Sequence, residues 1–131
     1  MNILVGYDGS ESSRRALDKA VELVDGGTVT CVAADRILCR SGPLAVSPVA
    51  FEDHTAALAE AEKYLADRNV PCRTLHFRGD PAGVITAEAL KEHADLVIVG
   101  CEHKNLLKRL LFGSVSDTVM HRAKTNVLVV A

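Results

Sequence analysis

Between Gly100 and Asp117 the chain reads GCEHKNLLKRLLFGSVSD, a stretch that leaves an apolar run, crosses a basic loop and meets small hydroxyl residues at Gly113-Ser114. Its residue types suit phosphate. A helix N-terminus exposes unpaired backbone N–H groups and carries partial positive charge, so a glycine followed by serines at a helix start offers amides and hydroxyls to phosphate oxygens. Gly113, Ser114, Val115 and Ser116 are the candidate cradle, and Lys104, Lys108 and Arg109 are candidate sources of positive charge for the phosphates. Ser114 and Ser116 also have a plain role as helix caps, with Asp117 able to return to the cap as in a capping box.

Five short apolar runs bracket these residues: 2–7, 28–34, 72–77, 95–99 and 126–131. Three of them, ILVGY, LVIVG and VLVVA, lack polar alternation, the pattern of parallel strands covered on both faces. Helical patterns separate the runs. Ser10 can cap a helix that continues to about Asp25 with Ala16, Leu17, Ala20, Val21, Leu23 and Val24 inward and Gly26-Gly27 beyond its end. A second helix is predicted from about Ala50 to Asn69. A third begins at Asp80-Pro81, an acceptor followed by proline at the first helical position, and carries Val84, Ile85, Ala87, Leu90 and Ala94. A fourth opens at Ser114 and ends near Arg122 to Lys124.

Strict alternation of strand and helix predicts an α/β fold: a five-stranded parallel sheet with right-handed crossovers and helices on both faces. In the order 3-2-1-4-5 the winding reverses between strands 1 and 4, and a ligand crevice opens beyond their carboxyl ends. Those ends are Tyr7-Asp8-Gly9 and Gly100-Cys101.

The 131 residues fit a single domain, and a formal net charge of -2 gives no electrostatic case for nucleic acid or an anionic membrane. With no basic leader before the first strand and no apolar run of spanning length, the expected location is the cytoplasm. Cys31, Cys39, Cys72 and Cys101 show no C-x-x-C pairing and read as small buried hydrophobes. His54, His76, His93 and His121 have no spacing that suggests a metal or a triad, so surface or packing roles are expected and no protein metal ligand is assigned.

With its opening ILVGYDGSESSRRAL and closing GSVSDTVMHRAKTNVLVVA, the chain resembles the universal stress proteins over nearly its whole length. The nucleotide-binding branch of that family carries G-x2-G-x9-G-[ST] after the fourth strand. Gly100, Gly113 and Ser114 match it, and His103 stands in place of the second glycine. The resemblance implies an adenine nucleotide, ATP with Mg2+, whose adenine meets Val32, Ala33 and Ala34, with Asp8 at the adenine and ribose end. Gly100 would shape the turn, and Gly113 to Ser116 would hold the phosphates. His103 obstructs a close backbone approach or, as an imidazole, bonds the phosphates itself.

No catalytic residue is assigned, because beyond Glu102 and His103 nothing near the cradle offers a base for water. The expected role is a regulatory module of the stress response. The alternative is a dimeric scaffold of the same fold that binds no nucleotide and acts through protein contacts. A flavin carrier built on Ser10, Ser12 and Ser13 lacks an aromatic pair for the ring system. The last strand, Asn126 to Ala131, has no proline or charge to stop a second chain from pairing, and the resemblance likewise implies a homodimer through it. A regulatory protein partner is expected but unnamed by the sequence.

Overall fold

The structure, a computed structural model, describes residues 1–38, 50–102 and 115–131. Cys39 and most of the connection after the second strand lie outside the described residues, as do His103, Lys104, Lys108, Arg109, Gly113 and Ser114.

The apolar runs form the strands β1 (Asn2–Gly6), β2 (Thr28–Asp35), β5 (Cys72–Arg78), β6 (Leu96–Gly100) and β7 (Asn126–Val130). They make one sheet in the order β5-β2-β1-β6-β7, with every pairing parallel. This is the predicted 3-2-1-4-5 order. Val5 sits opposite Cys31 on one side and Ile98 on the other, and Ile98 in turn opposes Leu128. Ile3, Leu4, Val5, Val97 and Ile98 are completely buried, which explains why their runs show no polar alternation. Burying each contributes about 1.5–3 kcal/mol.

Four helices cover the two faces: α1 (Glu11–Leu23) and α2 (Thr55–Asp67) on one, α3 (Pro81–Lys91) and α4 (Val115–Arg122) on the other. Ser10 caps α1 by accepting the Ser13 N–H, and Asp80 caps α3 by accepting the Gly83 N–H at 3.0 Å, as predicted from the sequence. Three details of the inward faces differ, Ala87 being exposed like the two leucines Leu23 and Leu90. Leu23 is 38% exposed and Leu90 is 66% exposed, because the buried stripe of α3 runs through Ala82, Ile85 and Ala89, and α1 is anchored by Ala16, Leu17 and Ala20.

The second helix starts five residues later than predicted. Ala50 and Phe51 form β4, which pairs antiparallel with β3 (Ile37–Leu38) through Ile37 opposite Phe51 and Leu38 opposite Ala50. Local polar bonds explain the delay. The Glu52 N–H donates to the Arg36 carbonyl at 2.9 Å, and the Asp53 carboxylate takes the Thr55 N–H and hydroxyl at 2.9 and 2.6 Å. An acidic side chain bonded two residues ahead favours a turn over a helix interior. Asn69 ends the segment at a φ of 57°, a left-handed conformation that asparagine tolerates.

Candidate functional site

The winding of the sheet reverses between β1 and β6, and a crevice lies beyond the carboxyl ends of these strands, the position expected for a ligand in an open α/β sheet. Its floor is Gly6, Tyr7 and Gly100; Val32, Ala33 and Ala34 form one wall; Ser10, Ser12 and Asp8 stand at the start of α1; Val115 opens α4 on the far side. Val32, Ala33 and Ala34 are buried at 1–7% exposure and supply an apolar slot suited to the face of a flat ring.

Asp8, Val32, Ala33, Ala34, Gly100 and Val115, predicted far apart in sequence, are thus brought to one crevice. Ser116 is buried at 2% exposure and is not among the lining residues described. His103, Gly113, Ser114 and the three cations of the loop fall outside the described residues.

Gly100 has a packing reason of its own. A Cβ at Gly100 would lie 2.2 Å from the Ser12 carbonyl oxygen and 2.4 Å from its carbon, so the residue is glycine because the backbone of α1 passes directly over it. Positive φ is required instead at Gly9, at 82°, where the chain turns from β1 toward α1. The turn is tied by its neighbours. The Asp8 carboxylate accepts the Ser10 N–H at 2.9 Å, and the Ser13 hydroxyl donates to the Ser10 carbonyl at 2.9 Å. Burial pushes the Asp8 carboxyl up, but the donors of Ser10 and Ser13 outweigh it and leave the group below its ordinary range. Asp8 is therefore ionised at neutral pH, able to accept from a ribose hydroxyl or an exocyclic amine.

Sequence reasoning missed the polar wall beside this slot. Arg36, Glu52 and His54 also line the crevice. Arg36 Nε meets Glu52 Oε1 at 3.1 Å. His54 Nδ1 is 2.7 Å from Asp35 Oδ1, and His76 Nε2 is 2.6 Å from Asp35 Oδ2. The two histidines expected to have independent surface or packing roles therefore share one buried carboxylate. The reason is tertiary: β2 pairs with β5 so that Ala33 opposes His76, while the β3–β4 hairpin returns His54 to the end of β2. Burial pushes the Asp35 carboxyl up, and hydrogen bonds from His54 and His76 more than reverse this, holding it below the usual range. With Nδ1 turned to Asp35, the nitrogen left to His54 for a ligand is Nε2. An aspartate just after a buried V-A-A run was the one signal in the sequence that pointed here.

The universal stress protein family matches residues 1–131. The chain belongs to the universal stress protein family. This universal stress protein is 30% identical over 159 residues to the stress response protein NhaX of Bacillus subtilis, covering 98% of this chain and 96% of that relative. It is 29% identical over 137 residues to the universal stress protein Rv1636 of Mycobacterium tuberculosis, covering 98% and 94%. Among solved structures it is similar to a universal stress protein crystallised in complex with cAMP, with a TM-score of 0.78, 27% identity and coverage of 100% of this chain and 96% of that one. No helix among the described residues is long and apolar enough to cross a membrane.

Proposed function

We propose that this universal stress protein is a cytoplasmic adenine-nucleotide-binding regulatory module, with ATP and Mg2+ as its ligand. The observation that carries the reading is the crevice itself: an apolar slot of Val32, Ala33 and Ala34 beside the ionised Asp8, over a floor closed by Gly6 and Gly100. Adenine fits the slot, the ribose hydroxyls fall to Asp8, and the phosphates run toward Val115 and the preceding Gly113-Ser114 with Ser116, where Lys104, Lys108 and Arg109 add charge. Mg2+ would neutralise phosphate oxygens that the protein leaves unpaired. The relative at 27% identity was crystallised with cAMP, which supports an adenine-ring slot in this position. Nucleotide bound beside the start of α4 changes the surface a protein partner reads.

Titration calorimetry with Mg-ATP, AMP and cAMP tests this, together with the ultraviolet spectrum of the purified protein. The chain has no Trp and two Tyr, so a retained adenine nucleotide dominates absorbance near the adenine maximum. Ala34→Trp should fill the slot and lower adenine-nucleotide affinity by about 100-fold, or about 2.7 kcal/mol, with circular dichroism used to establish that the variant is folded. Absence of heat with all three nucleotides would favour the dimeric scaffold, the reading supported by His103 in place of the motif's second glycine.

Self-association is part of the same proposal. The two sheet edges differ in kind: β5 carries Arg73, His76 and Arg78, whereas β7 carries Val127, Leu128, Val129 and Val130, all half-buried and uncharged. Charged edges repel a pairing strand and apolar ones accept it. Light scattering at micromolar concentration should return the mass of a homodimer joined through β7, and a monomer mass would overturn the assignment.

A further inference from the structure

At the rim formed by the end of β2, the middle of β5 and the turn into α2, two carboxylates and two imidazoles converge. Asp35 is buried at 6% exposure, and its two oxygens face different partners: Oδ1 takes the His54 backbone N–H at 3.0 Å and His54 Nδ1 at 2.7 Å, and Oδ2 meets His76 Nε2 at 2.6 Å. Asp53 brings the second carboxylate, oriented through Oδ1 by the Thr55 N–H and hydroxyl. One ligand atom each from Asp35, Asp53 and His76 lie within 4.8 Å of one another.

Those separations nearly match a metal shell. Bonds of about 2.0–2.2 Å to nitrogen and oxygen place tetrahedral ligand atoms about 3.4 Å apart, so closure needs the exposed Asp53 and His76 side chains to shift by about an ångström. Charge favours the same occupant. Among the described residues Glu52 is matched by Arg36 and the Arg78 guanidinium lies over the Phe51 ring at 4.0 Å, while neither Asp35 nor Asp53 pairs with a lysine or arginine. A dication balances them.

We propose that Asp35, Asp53 and His76 form a binding site for a first-row divalent transition cation, with zinc(II) the preferred ion and water completing its shell. Imidazole with carboxylates suits this class, whereas Mg2+ and Ca2+ favour oxygen alone. On binding, the His76 proton moves from Nε2 to Nδ1 through solvent, so that the Nε2 lone pair faces the ion in place of the hydrogen bond to Asp35. His54 stays on Oδ1 and orients the Asp35 carboxylate from outside the shell. The ion would tie β2, β5 and the start of α2 together in a separate hollow that adjoins the crevice at Glu52, independently of any nucleotide.

The test uses the full chain stripped with chelator, titrated with Zn2+ by calorimetry and with Co2+ by visible spectroscopy. Expected results are one equivalent of Zn2+ bound, a raised melting temperature, Co2+ d–d bands without a thiolate charge-transfer band, and no matching response to Mg2+. His76→Gln keeps a donor for Asp35 and Asp53→Asn is exposed, so both variants should fold. Each should lower Zn2+ affinity by at least about 10-fold. Absence of stoichiometric Zn2+ binding, binding unchanged in both variants, or a thiolate band that places the ion on cysteine would each overturn the proposal.

Discussion

Gly100→Val should destabilise the fold by about 3 kcal/mol or more and lower the melting temperature by roughly 10 °C. The new Cβ would stand 2.2 Å from the Ser12 carbonyl oxygen, 2.4 Å from its carbon and 2.9 Å from its Cβ. Two of these atoms are backbone, so no rotamer change relieves them. α1 must retreat instead, and Ala16, Leu17 and Ala20 hold it to the sheet at 0–2% exposure. The nearby Gly6→Ala is the control. Its Cβ would meet Ile85 Cδ1 at 2.8 Å, the far end of a flexible side chain that can rotate away, so its cost should be about 1 kcal/mol. Urea denaturation of the two variants separates these values. Equal costs would mean that α1 does not pass over Gly100 as closely as the structure places it. Because Asp8, Ser10 and Ser12 travel with the N-terminus of α1, Gly100→Val should also weaken adenine-nucleotide binding in whatever fraction remains folded.

The second large effect is expected from Asp35→Ala, at roughly 3 kcal/mol when measured with chelator present so that no metal contributes. Three donors lose their acceptor: the His54 N–H, His54 Nδ1 and His76 Nε2. They are not equal. The His54 side chain is 15% exposed and its donors have little access to water, so most of the penalty falls there; the His76 side chain is 33% exposed and can recruit solvent. His76→Ala should accordingly cost about 1 kcal/mol or less. The acid limb gives the sign. The folded Asp35 pKa lies below its unfolded value, so its contribution is fully present above the unfolded carboxylate pKa of about 3.9 and is lost as pH falls through the folded value. The stability gap between the parent chain and Asp35→Ala should therefore narrow below about pH 4, and a gap that stays constant into that range would contradict the hydrogen-bonded carboxylate.

The sequence by itself determined the fold class, because what specifies it is local. Apolar runs without alternation require cover on both faces, and the Ser10 and Asp80-Pro81 signals mark where helices begin; both caps follow, whereas the strand order, which is the expected 3-2-1-4-5, is not encoded locally. In the expected strand order the winding reverses at one position, which pointed to the crevice at Tyr7-Asp8-Gly9 and Gly100-Cys101, while Val32, Ala33 and Ala34 came from the resemblance to the universal stress proteins. Tertiary structure alone decided three other things. It gave Gly100 a packing reason, the backbone of α1 that passes over it. It turned Leu23 and Leu90 to solvent, because neighbours and not helical period choose which flank of an apolar stripe is covered. It also gathered Asp35, His54 and His76, separated by 19 and 41 residues, around one carboxylate. No short-range spacing encodes that meeting. It depends on which strand β2 pairs with and on a hairpin whose two short strands carry too few residues to stand out as a pattern, so the cluster exists only once the sheet has closed.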